Sequence, residues 1–190
     1  MFLYDKIYLL FAINPLLLYT KINGSYWGCL MFKIGDKIFY PMHGGGIIST
    51  IEDKEIFGEV QAYYVVSLLH RNMQVMIPVN KTGSLKLRHI VDPAKLDDIL
   101  TTLPTGETDT TISDNQRHKI NLNKIKSGDI YETAEVIRDL VRSNNKKKLS
   151  LVDSNMLDNA RQILISEVVL VKGIELEQAT SLVNGIIDFI

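Results

Sequence analysis

The chain has 190 residues, 46% hydrophobic and 23% charged, which is the make-up of a folded globular protein with room for one sizeable domain or two small ones. Its net charge is −1, so no global field recruits nucleic acid or an acidic membrane, and any such binding must come from a local patch. The single cysteine, Cys29, excludes an intrachain disulfide and a cysteine-built zinc site, and suits a reducing, cytoplasmic setting.

The first thirty residues stand apart from the rest. IYLLFAINPLLLY (Ile7 to Tyr19) is apolar, but it is short for a membrane span and is interrupted by Asn14 and Pro15. A signal peptide needs a basic leading segment. Here Asp5 and Lys6 cancel, and GSYWGC is only a loose cleavage site. Met31 opens MFKIGDKIFYP, which reads like a natural beginning. Residues 1–30 are therefore expected to be an upstream extension outside the fold, with a weak signal or anchor as the alternative.

From Phe32 to about Val91 the pattern is that of strands. KIFY, GIISTI, AYYVVSLL, MQVMIPV and LKLRHIV are separated by the turn signals HGGG, IFGEV, HRN and NKTGS. Five short strands with tight connections predict a small SH3-like or Tudor-like β-barrel. In MQVMIPV, Met73, Val75 and Ile77 share one face, while Gln74 and Met76 take the other. Pro78 cannot donate to a ladder, which marks this strand as an edge or an end.

After Asp92–Pro93 the period becomes helical. PAKLDDILTTL places Leu96, Ile99 and Leu100 on one side behind a proline start. The loop PTGETDTTISDN leads to a helix from about Asp114 to Lys126, ended by Ser127–Gly128. DIYETAEVIRDLVRSNN has Asp129 as its N-cap and Ile130, Ala134, Ile137 and Val141 at helical spacing. Lys146 to Lys148 fall just past its C-terminal turn, where cations suit the helix dipole. SLVD from Ser150 reads as a capping box opening a long helix that Gly173 stops, with Leu157, Ala160, Leu164, Val168 and Val171 as its apolar stripe. LEQATSLVNGIIDFI closes the chain. The fold class is thus read as α+β: a small β-barrel over 31–91, then an all-helical domain of about five helices over 92–190.

The chemical candidates are few. His43 to Gly46, HGGG, is the run that builds an oxyanion hole in one class of hydrolases. Its companion G-x-S-x-G elbow is absent from the sequence, and the glycines read more simply as positive-φ residues where the chain reverses. His43, His70, His89 and His118 have no metal-like spacing, although His70 and His89 could meet in the barrel. There is no P-loop, no dinucleotide fingerprint and no H-E-x-x-H, so no catalytic residue, cofactor or metal is expected. The strongest local signal is electrostatic. Between Ile112 and Lys148 stand nine cations (Arg117, Lys119, Lys124, Lys126, Arg138, Arg142, Lys146, Lys147 and Lys148) against five acids, and the sign reverses from Leu149 onward. Arg117, Asn121 and Lys124 share a helix face. The cluster reads as a phosphate-contacting surface or as an ordinary solvated face.

Two stretches resemble a known family. FKIGDKIFYPMHGGGIISTIEDKEIFGE resembles the opening of the CarD/CdnL family of bacterial transcription regulators, an opening shared with the polymerase-interacting domain of transcription-repair coupling factor. KINLNKIKSGDIYETAEVIRDLVRSNNKKKLSLVDSNMLDNARQILISEVVL looks like that family's helical domain, and the likeness runs from Met31 to about Ile187. The resemblance implies a regulator rather than an enzyme. Its Tudor-like domain would dock on the β subunit of RNA polymerase by strand addition. Its helical domain would reach promoter DNA at the upstream edge of the bubble and change open-complex stability. The implied polymerase contacts are Lys54 and the edge Val75, Met76, Ile77 and Pro78. Lys54 and Met76 stand where the family places arginines, so one contact loses its fork and the other its charge. The implied DNA contacts are Asp114, Asn115, Arg117, Lys119 and Lys124. Asp114 takes the place of a tryptophan wedge for the minor groove, and the only tryptophan, Trp27, lies in the extension. A monomer without membrane attachment follows, and the alternative is a polymerase-binding adaptor that scarcely touches DNA.

Overall fold

The computed structural model describes residues 31–190 apart from 57, 70–72 and 110. The expectations for residues 1–30, including Trp27 and Cys29, and for His70 lie outside the described residues. Strands come first and helices follow. β1 (Lys37–Tyr40), β2 (Gly44–Ile56), β3 (Glu59–Leu68), β4 (Met73–Pro78) and β5 (Arg88–His89) form one open, barrel-like antiparallel sheet in the order β4-β3-β2-β1-β5. Five helices complete the α+β fold: α1 (Pro93–Thr102), α2 (Asp114–Ser127), α3 (Ile130–Lys146), α4 (Leu151–Lys172) and α5 (Leu176–Ile187).

Alternation builds the sheet. Tyr64, Val66 and Leu68 on β3 point inward with Ile38, Ile48, Ile77, Phe32 and Leu87. The Phe32 amide donates to the buried Tyr64 hydroxyl at 3.2 Å, and the two rings meet edge to face. β2 is 13 residues long and β1 only 4, so the outer half of β2 runs on with β3 as a hairpin arm down to the pair Ile56–Glu59. A bulge between Ile48 and Thr50 bends the strand where the arm begins. β5 is shorter than LKLRHIV implied. A 3-10 turn and the bonds Leu85 N–H to Lys81 O (2.9 Å) and Leu87 N–H to Thr82 O (3.0 Å) coil the segment before it.

The helical core follows the predicted stripes: Leu96, Ile99 and Leu100 of α1, Ile130, Ala134, Ile137 and Val141 of α3, and Leu157, Ala160, Leu164 and Val168 of α4 are all buried, while Val171, the last residue of the α4 stripe, is only partly buried against it. Three departures matter. Phe39 of β1 is 1% exposed and belongs to this helical core, not to the sheet's own. α4 is buried well beyond its stripe, with Ile163, Ile165, Ser166 and Glu167 all enclosed. The reversal expected at HGGG lies earlier, at Pro41–His43, closed by the His43 amide on the Tyr40 carbonyl at 3.0 Å, with Met42 at φ +68°.

Gly44, Gly45 and Gly46 open β2, and only Gly44 has a positive φ (+84°). Their smallness serves a close approach. A Cβ on Gly45 would stand 2.7 Å from Leu170 Cδ1 and 3.1 Å from the Ser166 carbonyl oxygen. α4 therefore lies directly on the β2 backbone. The Gly45 amide donates to Ser166 Oγ at 2.8 Å, and Lys37 Nζ donates to the Leu170 carbonyl at 2.7 Å.

Candidate functional site

Two surfaces hold the expected contact residues. The first is β4, the outer strand of the sheet, which pairs with β3 from Leu68–Met73 to Tyr63–Pro78. Ile77 is buried and Val75 packs against the sheet core, while Met73 and Met76 are more than two-fifths exposed. The structure thus brings Val75, Met76, Ile77 and Pro78 together as one edge. Lys54 is elsewhere: it lies on β2 opposite Gln61, two strands over and beyond the end of β4. Its ammonium holds Glu52 at 3.0 Å. That bond, helped by the Thr50 hydroxyl, pulls the Glu52 carboxyl below its ordinary range.

The second surface is a groove of about 790 Å³ where the start of α2, the end of α3 and the start of α4 meet. Ile112, Leu140, Leu149 and Val152 give it apolar walls, and Lys146, Lys147 and Lys148 stand exposed on its rim. Three arginines beneath are already occupied. Arg142 donates to the carbonyls of Pro104 (2.9 Å) and Gly106 (2.6 Å), and Arg138 to that of Glu107 (2.9 Å). Arg117 bonds the Asp109 carbonyl and sits 3.8 Å from Asp139. Together they hold the loop before α2 in place. Within that loop the Asp109 carboxylate accepts the Thr111 hydroxyl (2.6 Å) and amide (2.8 Å), which hold its pKa below the usual carboxylate range.

Ser150 caps α4 by accepting the Asp153 amide at 3.1 Å. The return bond of a capping box is replaced: the Asp153 carboxylate takes the Ser150 hydroxyl and lies 2.8 Å from His118 Nδ1. Serine, histidine and aspartate meet here, but the hydroxyl donates to the carboxylate and not to the imidazole. That is the wrong order for a nucleophile and its base. At HGGG, the Gly45 amide that an oxyanion hole would need is spent on Ser166.

The expected DNA-contacting residues divide. Lys119 is exposed on α2. Arg117, Asn121 and Lys124 do share a face, and it is the packed one: Asn121 is 1% exposed and Lys124 pairs with Glu135 at 2.9 Å. Asp114 and Asn115 begin α2 behind the cap Ser113. Counting cations along the chain weighted all nine alike. The signal that separates them is Arg138 and Arg142, four apart on α3 and each next to a buried residue of the stripe, Ile137 and Val141.

Among the described residues no helix is long and apolar enough to cross a membrane, and no three His, Cys, Asp or Glu side chains group as a metal site.

The family model for the CarD-like/TRCF RID domain matches residues 32–91, the sheet, and that for the CarD C-terminal domain matches 98–184, the helices. The chain belongs to the CarD family. A CarD relative from Bacillus subtilis (strain 168), "Putative transcription factor YdeB", is 48% identical over 151 residues, which is 80% of this chain and 99% of that protein. A solved structure, "CdnLNt from Myxoccoccus xanthus", is 39% identical, covers 38% of this chain and 94% of that one, and superposes with a TM-score of 0.27. CarD membership makes this a transcription-factor-type protein, in agreement with the resemblance read from its motifs.

Proposed function

We propose that this CarD-family protein regulates transcription by adding the outer edge of β4 to the β subunit of RNA polymerase and setting its lysine-rimmed groove against promoter DNA at the upstream edge of the bubble. The open edge of β4 is the observation that carries this reading. Its outward row of backbone groups has no strand beside it among the described residues, and such an edge is a template for a partner strand. Val75 to Pro78 supply that row, exposed Met76 adds apolar contact, and Lys54 adds a charge from the hairpin arm. On the DNA side, Lys119 and Lys146 to Lys148 face solvent and can displace phosphate counterions. Arg117 and Lys124 act from within the frame, and Asp114 and Asn115 open α2 with no wedge to insert. A protein with these contacts that binds the open complex better than the closed one shifts their equilibrium by the ratio of its affinities.

A second reading, a polymerase-binding adaptor with little DNA contact, is favoured by the engagement of Arg117 and Lys124 inside the protein. One titration separates the two. The affinity of the full chain for promoter DNA is measured from low to moderate salt, alongside binding to the polymerase β lobe. A steep salt dependence supports direct DNA contact, and a flat one leaves the adaptor. Lys54→Glu and Met76→Pro each weaken lobe binding, and unchanged binding in both overturns the docking edge.

A further inference from the structure

Arg88 of β5 is the most heavily bonded side chain between sheet and helices. Its Nη1 and Nη2 donate to the two oxygens of Glu167 on α4, at 2.6 and 3.1 Å, a bidentate fork. Its Nε donates to the carbonyl of Gly128, at the corner between α2 and α3, at 2.9 Å. Its guanidinium lies 4.0 Å above the Phe39 ring of β1. Glu167 is 0% exposed and also accepts the Val91 amide, at the start of the connection to α1, at 3.0 Å. One ion pair therefore joins a strand, the inter-domain connection, the α2–α3 corner and the central helix.

A buried ion pair is weak evidence for stability, because apolar residues of similar size often serve as well; its best-attested use is to specify geometry. The rest of this interface is non-directional apolar contact around Phe39 and the glycine seat, with two hydrogen bonds beside it, Gly45 N–H to Ser166 Oγ and Lys37 Nζ to the Leu170 carbonyl. If α4 slid along β2, Glu167 would lose its partners and leave a buried carboxylate uncompensated. Among these contacts the fork is the one whose loss strands a buried charge, so it forbids what the apolar contacts would tolerate.

We propose that Arg88 and Glu167 are positioning residues that set the angle of the helical unit to the docking sheet, and that this set angle couples polymerase binding to promoter contact. The coupling rests on the function proposed above, while the angle itself does not. The fork orients the groove relative to the β4 edge, so that a protein held on the polymerase presents its lysines in one direction.

The test uses the full chain carrying Arg88→Met together with Glu167→Leu, which removes both charges and leaves neither unpaired. Arg88→Lys, which keeps the charge but not the fork, is measured beside it. Inter-domain orientation is read by residual dipolar couplings, β-lobe and promoter-DNA binding by titration, and effect by open-complex lifetime with a bacterial RNA polymerase holoenzyme. The expected double variant is folded, binds lobe and DNA as the parent does, samples a broader range of inter-domain angles, and loses at least about fivefold of the lifetime effect. Arg88→Lys restores part of both. A folded double variant with the parent's angle overturns the proposal, and so does one that broadens the angle yet keeps the full lifetime effect. A double variant that fails to fold also overturns it, because the pair would then serve stability and not orientation. If the parent itself leaves lifetimes unchanged, the polymerase reading fails, and the dipolar couplings still decide the angle.

Discussion

Gly45 and Ser166 meet through a 2.8 Å bond from backbone amide to hydroxyl, 121 positions apart in the chain. The Ser166 hydroxyl in turn donates a hydrogen bond to the Ile163 carbonyl at 2.7 Å, so it is engaged on both sides. The contact exists only because neither Gly44 nor Gly45 has a side chain to hold the helix off. A Gly45→Val chain should lose about 1–3 kcal/mol to forced repacking against Leu170 and Ser166. Urea denaturation checks this, and an unchanged midpoint would mean that α4 does not rest on β2.

Phe39 ties the two cores together, since it hangs from a strand and is buried among helices. Phe39→Ala should cost about 3–5 kcal/mol. Fluorescence probes placed in the sheet and in the helices should shift to the same new midpoint. Two separated transitions would show that the units unfold independently.

The cations of the helical unit should separate into two phenotypes. Replacing Lys146, Lys147 and Lys148 with glutamine should leave the melting temperature unchanged and lower the salt slope of DNA binding by up to about 2.7. Arg142→Gln should destabilise the protein first, because its guanidinium holds the carbonyls of Pro104 and Gly106. The contrast disappears if all these cations are equivalent surface charges.

Glu52 and Asp109 both have carboxyl groups held below their ordinary range, by Lys54 and by Thr111. A folded-state pKa below the unfolded one gives a contribution that is fully present above the unfolded value of about 4. It is lost as pH falls through the folded value, so acid should loosen the hairpin arm and the loop before α2. Carbon-detected NMR titration follows each carboxyl. Thr111→Val should move the Asp109 midpoint upward and leave that of Glu52 in place.

The elements were legible in the sequence wherever one residue's neighbours decide its burial. The spacing of Leu96, Ile99 and Leu100 placed α1, Asp129 marked the start of α3, and Pro78 marked β4 as an edge. What stayed hidden depends on residues far apart. Nothing near Glu167 says that a guanidinium from 79 positions earlier will bury it. HGGG looked like a turn because glycine tolerates positive φ, but the fold uses its lack of bulk. Periodicity says that Arg117 and Lys124 share a side, not whether that side meets solvent. The family pattern implied a contact at the edge Val75–Pro78, and chain order alone would not have placed Lys54 two strands away from it.

The open edge of β4 has a second effect, on the protein's behaviour when no partner is present. A strand with no neighbour on its outer side among the described residues, bearing exposed Met73 and Met76, is a template for another copy of itself as well as for a foreign strand. Pro78 ends the row at one side, and little else blunts it. On the proposed docking, solubility and recruitment draw on the same few residues. A lysine placed at Met76 should keep concentrated protein dispersed and, on the proposed docking, weaken the polymerase contact by the same substitution.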